Sequence, residues 1–515
     1  MHLIDYIERA GSLRSHHPAL VAKGQSLSFE EVAKRARQVG ASLAEQNLPL
    51  GSTVAILADN CPEVCLLQLG INLAGLAWTS IHPSTTTDTT AQVLDYLDAR
   101  LVFFQAQYFA KAEAAAKAIP GLMTVCINGS APVGRSLDAW LTTNPDHEVL
   151  GSLATPTTAA WLQHTGGAAG PCHGTVHSRS AIEIGLANVV DALGAGQESK
   201  HLVVAPLTHA AGIFSLAFAS VGATNVIHEL FDADAVDAAL RSEGITHLFL
   251  PPTALYALLD FLDGPAAYPA LQCLVVAGAP VAPERFEQAV NYLGPVLHEV
   301  YGQTETLLAL VKRPGDYFLG GRLDARVARS AGRPVRFARV ALLDDEGSLV
   351  APGESGEVAV RTSMLMDGYY KKPELTARSR RGGWHLTGDI GIADEAGFVT
   401  IVDRKREMII TGSFNVFPGE VEEVLCGHEG IQDCCVFGIP DGKWGESVHA
   451  VVSLRECSSL QEDQLLQWCK AGLGSIKAPK SITIVPQSAI PRAADGAVDR
   501  AKLKAPYWDG QWRRV

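Results

Sequence analysis

The chain has 515 residues, 47% hydrophobic and 19% charged, with a net charge of −13 at pH 7. That balance describes a globular protein and argues against disorder, and the acidic surplus argues against nucleic acid as a partner, because neutralising phosphates takes a basic face. The longest apolar runs, 248–252 and 274–279, fall far short of the roughly 18 residues a membrane span needs, and the start of the chain lacks a signal-peptide profile, so a cytoplasmic protein with no membrane partner is expected.

Residues 1–150 alternate short apolar runs with amphipathic stretches: strands are expected at 54–58 and 101–105, a helix at 63–74, and loops at 84–90 and 144–158. The alternation continues to about residue 402, with strands at 202–205, 246–250, 273–277 and 297–300 and helices at 253–262 and 284–292. Near-continuous apolar strands between helices indicate parallel sheets covered on both faces. From Arg339 the strands expected at 340–344, 357–361 and 398–402 lie closer together, as in a small β unit. After the charged run 403–407 about 110 residues remain, enough for a small α+β domain. Ten cysteines without a framework indicate reduced thiols, with neither zinc nor disulfides.

Four stretches carry residues suited to chemistry. An apolar strand from Trp161 opens into a loop containing Gly166, Gly167, Gly170 and Gly174, whose backbone N–H groups can turn toward an anion, although no Lys-Ser or Lys-Thr pair closes it as a Walker loop requires. Gly278, Ala279 and Pro280 form a close-approach turn after a strand. The segment Glu299 to Glu305 places Tyr301, Gly302, Thr304 and Glu305 at a strand end, where ligands of open α/β sheets bind. Thr387, Gly388 and Asp389 put a carboxylate at a tight turn. Each alone reads better as a turn, a core aromatic or a solvated carboxylate.

Together, with Pro206–Gly212, Ser330–Pro334, Met366–Glu374, Asp403–Glu422, Pro440–Glu446 and Pro491–Lys504, they resemble, over nearly the whole chain, the adenylate-forming superfamily of acyl-CoA synthetases, adenylation domains and luciferases. The resemblance implies an α/β fold with a large N-terminal domain of parallel-rich sheets plus a small β unit, residues 1–402, a hinge at 403–406, and a small mobile α+β domain, residues 407–515. It makes Tyr301 the ring stacked on adenine with Gly278 to Pro280 and Gly302 beside it, Thr304 a contact of the α-phosphate, Glu305 the magnesium ligand, and Asp389 the acceptor of the ribose hydroxyls. Arg404 would reach ribose or phosphate, His209 would lie beside the acyl carboxylate and the thiol's path, and rotation about Arg406 would bring Gly412 and Ser413 to a pantetheine tunnel. The implied ligands are AMP as an acyl-adenylate and coenzyme A, with ATP and Mg2+ less well provided for. Small residues at Ala210, Ala211, Gly212 and Gly302 are expected to leave room for a bulky apolar acyl group.

The sequence departs from the family pattern in two places. The phosphate loop, Thr165 to Gly174, has Gly166, Ala168 and Ala169 where the family has hydroxyls, and His173 where it has lysine. Near the C-terminus Ala497 stands where the family places the lysine that bridges carboxylate and α-phosphate; Lys502 and Lys504 lie beyond that motif. Losing one preorganised donor costs about 10²–10³ in rate. The groups lost serve adenylation and pyrophosphate; those kept hold an adenylate and admit a thiol. The reading is therefore an acyl-CoA ligase that takes preformed acyl-adenylate from a separate adenylating enzyme, with a full ATP-dependent synthetase and a non-catalytic adenylate-binding scaffold as alternatives.

Overall fold

The computed structural model describes residues 2–141, 154–165, 173–404, 407–411, 414–441, 444–455, 458–492 and 498–509. The chain forms two compact units, one from Met1–Thr165, Cys172–Val340 and Val360–His385, the other including Ala341–Ala359 and Leu386–Val515.

The first unit contains two large sheets. One has the strand order 333–334, 307–312, 297–303, 273–276, 247–250, 200–203, 224–227, 18–22, 25–28; the other runs 368–369, 173–178, 159–165, 77–81, 53–57, 101–104, 123–126, 135–136. Their central pairs are parallel, and their strands Thr53–Leu57, Ala77–Ile81 and Leu101–Phe104 are buried along their whole length, as parallel strands covered on both faces demand. The helices begin and end where local chemistry dictates: Ser28 and Glu31 form a capping box, Pro62 opens the helix Pro62–Leu73, and Ser178 caps Arg179–Leu193, which stops at left-handed Gly194. The expected strands and helices are present to within a few residues. The expected loop 84–90 is a correction: Thr86 accepts from Thr89 N–H and starts the helix Thr87–Tyr96 inside it. Of the loop 144–158, residues 144–153 lie outside the described residues.

In the second unit, strand Val399–Arg404 pairs antiparallel with 389–393. A separate sheet has the order 414–416, 409–411, 445–454, 431–441, with Ser481–Ile484 added parallel to Gly445–Leu454. Ile409, Val421, Leu425, Val436, Val448, Leu465 and Cys469 fill its core beneath helices Pro418–Cys426 and Glu462–Lys477. Two contacts flank residues 405–406: the Asp403 carboxylate accepts from Gly419 N–H at 2.8 Å, and Glu407 pairs with Arg500, which also meets Glu422 at 2.8 Å. No helix among the described residues is long and apolar enough to cross a membrane.

Candidate active site

The strand Leu297–Gln303 turns back into Leu307–Lys312 through Thr304, Glu305 and Thr306, so the two residues expected at phosphate and metal stand on a hairpin tip. Leu307 takes a left-handed φ of 52° to close it, and a bulge falls between Tyr301 and Gly302. Gly302 is glycine for a backbone reason: a Cβ there would lie 2.0 Å from the Leu307 carbonyl oxygen. Gly212 is similar, its Cβ position lying 2.3 Å from the Leu207 carbonyl oxygen, and Ala211 is buried. The small residues expected to widen an acyl pocket are thus, at these three positions, consumed by packing.

The hairpin is anchored from below. Glu299 and Lys312 form a buried ion pair at 2.6 Å, and Lys312 Nζ also donates to the Ser330 carbonyl at 2.7 Å and lies over the Phe286 ring. Burial pushes the Glu299 carboxyl up and the Lys312 ammonium down, while each partner pulls the other back. Glu299 also accepts from the backbone of Val281, beyond the turn 278–280. At the tip, Tyr369 Oη donates to Glu305 Oε1 at 2.9 Å and Met366 N–H donates to the Glu305 carbonyl at 2.8 Å. Beneath Thr304 and Glu305 lies His177, fully buried and pushed down to about 3 by that burial, with Trp161 against its ring at 5.2 Å. Gly278 has a φ of 95° and nothing within 4 Å of its missing Cβ, so a flat ligand can approach the backbone there.

Of the phosphate loop, Gly166 to Cys172 lie outside the described residues, as does the side chain of Thr165. Backbone pairing sets Thr165 opposite His173, and the His173 ring lies 5.9 Å from the ring of Tyr369, the residue that orients Glu305. Gly174 is a packing glycine: a Cβ would meet Leu97 at 2.8 Å and Tyr370 at 3.2 Å.

His209 is the N-cap of the helix Ala210–Ser220, exposed, with Nδ1 at 2.9 Å from Thr208 Oγ1. Its ring meets His82 edge-on at 5.5 Å. His82 directly follows strand Ala77–Ile81, and His164 lies near the end of the adjacent parallel strand Ala159–Thr165, close enough that the His82 imidazole disfavours charge on His164. Burial lowers the pKa of both.

In the second unit, the β register sets Asp389 opposite Arg404, joining the two residues expected at ribose. Asp389 is buried; its N–H donates to Thr387 Oγ1 at 3.2 Å, and left-handed Gly388 donates to Glu357 at 3.1 Å. The side chain of Arg404, and Arg406, Gly412, Ser413 and Ala497, lie outside the described residues. Sequence reasoning missed Tyr369, His177 and His82. Tyr369 sits inside the Met366–Glu374 segment, and His82 precedes a proline at a strand end, the two signals that could have drawn notice.

The donor set suits a magnesium ion bound with a nucleotide. No group of three or more His, Cys, Asp or Glu side chains could hold a metal among the described residues, and Glu305 keeps Oε2 clear of protein hydrogen bonds there, so phosphate and water would supply the other ligands.

Residues 7–370 match the AMP-binding enzyme family, and residues 420–496 match the AMP-binding enzyme C-terminal domain. The chain is 30% identical over 522 residues to the medium/long-chain-fatty-acid–CoA ligase FadD8 of Mycobacterium tuberculosis, covering 98% of this chain and 90% of that one. It is 28% identical to the indoleacetate–CoA ligase of Aromatoleum aromaticum, covering 98% of each. Among solved structures, the amide bond synthetase McbA from Marinactinospora thermotolerans superposes with a TM-score of 0.87 at 27% identity, covering 98% of this chain and 99% of that one. The chain belongs to the AMP-binding enzymes and is, among them, an enzyme of the acyl-CoA synthetase and ligase type.

Proposed function

We propose that this enzyme performs the second half of the acyl-CoA ligase reaction: it transfers the acyl group of a preformed acyl-adenylate to CoA and releases AMP. The observation that carries the reading is the selectivity of the losses. Gly166, Ala168, Ala169, His173 and Ala497 replace groups that act on ATP and on the attacking carboxylate, whereas Tyr301, Thr304, Glu305, Asp389 and Arg404 remain. Thiol attack on a mixed anhydride needs an oriented carbonyl, a good leaving group and an access path, and AMP already leaves well.

In this reading Tyr301 and the 278–280 turn hold adenine, Asp389 and Arg404 the ribose, and Thr304 the α-phosphate; magnesium held by Glu305 would neutralise that phosphate. Residues 1–402 and 407–515 act as two domains turning about Arg406, and Gly412 and Ser413 border the thiol's path. Turning there would release the contact of Asp403 with Gly419, which spans residues 405–406. A separate adenylating enzyme supplies the acyl-AMP in the cytoplasm. The acyl group is bulky and largely apolar; the names of the relatives, which specify medium and long fatty acids and indoleacetate, support that class.

The alternative, a full ATP-dependent synthetase, is equally consistent with the names of the relatives and is separated by affinity. Calorimetry should find a non-hydrolysable acyl-sulfamoyl adenosine bound at least about 100-fold more tightly than ATP, a difference of about 2.7 kcal/mol. Equal affinities would favour the full synthetase. Ala497→Lys should restore some adenylation, incompletely, because the loop donors stay absent.

A further inference from the structure

The mouth formed by His82, His164 and His209 lies at the carboxyl ends of parallel strands; of the three only His209 is expected, from the resemblance, beside the acyl group and the thiol's path, and this inference rests on that placement and on the acyl-transfer reading above. His82 is held firmly. Its Nδ1 accepts from the Ser84 backbone N–H at 3.1 Å and lies 2.6 Å from Ser84 Oγ; its carbonyl accepts from Thr85 N–H at 3.0 Å. Lys111 donates to the Pro83 carbonyl and lies over the Tyr108 ring, whose hydroxyl donates to Asp59 at 2.6 Å. A backbone N–H can only donate, so Nδ1 of neutral His82 is an acceptor and its single proton sits on Nε2. That Nε2–H makes no hydrogen bond to the described residues. Burial keeps the ring neutral at pH 7 by lowering its pKa, against a smaller rise from Asp59 and with a slight further lowering from Lys111, and His164 and His209 lie beside it. A neutral imidazole with one fixed proton is a hydrogen-bond donor that cannot act as a base through the same nitrogen.

We propose that His82 donates its Nε2–H to the acyl carbonyl oxygen of the adenylate during thiol attack, beside His209. The CoA sulfur forms the C–S bond, negative charge gathers on the carbonyl oxygen that His82 meets, and the bond from the acyl carbon to the AMP phosphate oxygen breaks. The electron pair leaves with AMP, the thiol proton passes to solvent, and His82 keeps its own. Its position, fixed from Lys111 to Ser84, meets the need for a donor in place before the charge develops.

The test uses the full chain with octanoyl-, indoleacetyl- and feruloyl-adenylate and CoA. His82→Ala should lower kcat for thioester formation about 100-fold with the KM for CoA changed less than about threefold, and His82→Gln, which keeps an N–H, should recover about tenfold of that. Thermal melting at the wild-type temperature shows that both variants fold. An unchanged kcat in His82→Ala, or a Gln variant no better than Ala, overturns the proposal. A wild-type enzyme that forms no thioester refutes the acyl-transfer reading instead, and the donor is then judged by binding: in 15N-histidine NMR, octanoyl-sulfamoyl adenosine should shift the Nε2–H signal of His82, and a signal that stays put overturns the assignment.

Discussion

The hairpin that carries Thr304 and Glu305 and the mouth lined by His82, His164 and His209 belong to the same unit and are built on opposite terms. The charged groups of the hairpin have partners, Glu299 with Lys312 and Glu305 Oε1 with Tyr369, and the Glu305 carbonyl accepts from Met366 N–H. The mouth leaves two imidazole nitrogens over, His82 Nε2 and the buried Nδ1 of His164, with no partner among the described residues. Buried groups that are fully paired fix a geometry, and groups left unpaired at a strand end are available to a ligand. On the proposed reading the hairpin is the part that must hold still, and the mouth the part that meets the reacting carbonyl.

Acid attacks the buried histidines, beneath the hairpin and beyond it. His177, beneath the hairpin, is pushed down to about 3 by burial, and His201, His247 and His385 to about 4. Unfolded, each binds a proton near its ordinary value of about 6.5, so the unfolded state holds more protons below that pH and stability falls as pH drops from about 6.5 toward 4. Each contributes on the order of 3 kcal/mol across that window. Chemical denaturation at a series of pH values should show this slope, and His201→Gln should flatten it; a midpoint constant from pH 7 to 4.5 would show that these rings are not buried neutral.

Next in size is the anchor. Lys312→Met leaves Glu299 buried without its cation and should cost about 3–5 kcal/mol, most of it recovered when Glu299→Gln is added. Urea denaturation of the single and double variants measures both; a harmless single substitution would mean that the hairpin does not depend on the pair. Gly302→Ala forces a Cβ toward the Leu307 carbonyl and should cost about 2 kcal/mol by the same assay. The smallest effect is expected of Tyr369→Phe, which releases the Glu305 carboxylate: thioester formation should slow about tenfold, or ~1.4 kcal/mol in barrier, with the melting temperature nearly unchanged. Equal loss in stability and rate would make Tyr369 a structural residue only.

Much of this was legible in the chain itself. Unbroken apolar runs such as 54–58 and 273–277 can be little else than covered parallel strands, and the order of motifs from Thr165 to Lys504 carried the family. What was not legible has one physical cause, that a residue type does not state what it packs against. Gly302 and Gly212 read as room for a ligand and prove to be room for backbone, and Gly174, read as a close approach to an anion, is room for neighbouring side chains. A threonine-rich stretch reads as a loop until Thr86 is seen capping a helix. His82, His177 and Tyr369 become visible only when strands distant in sequence set them beside His209, Thr304 and Glu305.

The central claim is that this enzyme uses acyl-adenylate and does not make it. The direct measurement is a paired assay on one preparation, with the same carboxylate in both arms: ATP–pyrophosphate exchange with the free acid, and thioester formation from its synthetic adenylate with CoA. The account predicts turnover in the second arm and at least about 1,000-fold less in the first, the loss of several donors acting on one transition state. Pyrophosphate exchange as fast as thioester formation would contradict it and establish a complete ATP-dependent ligase.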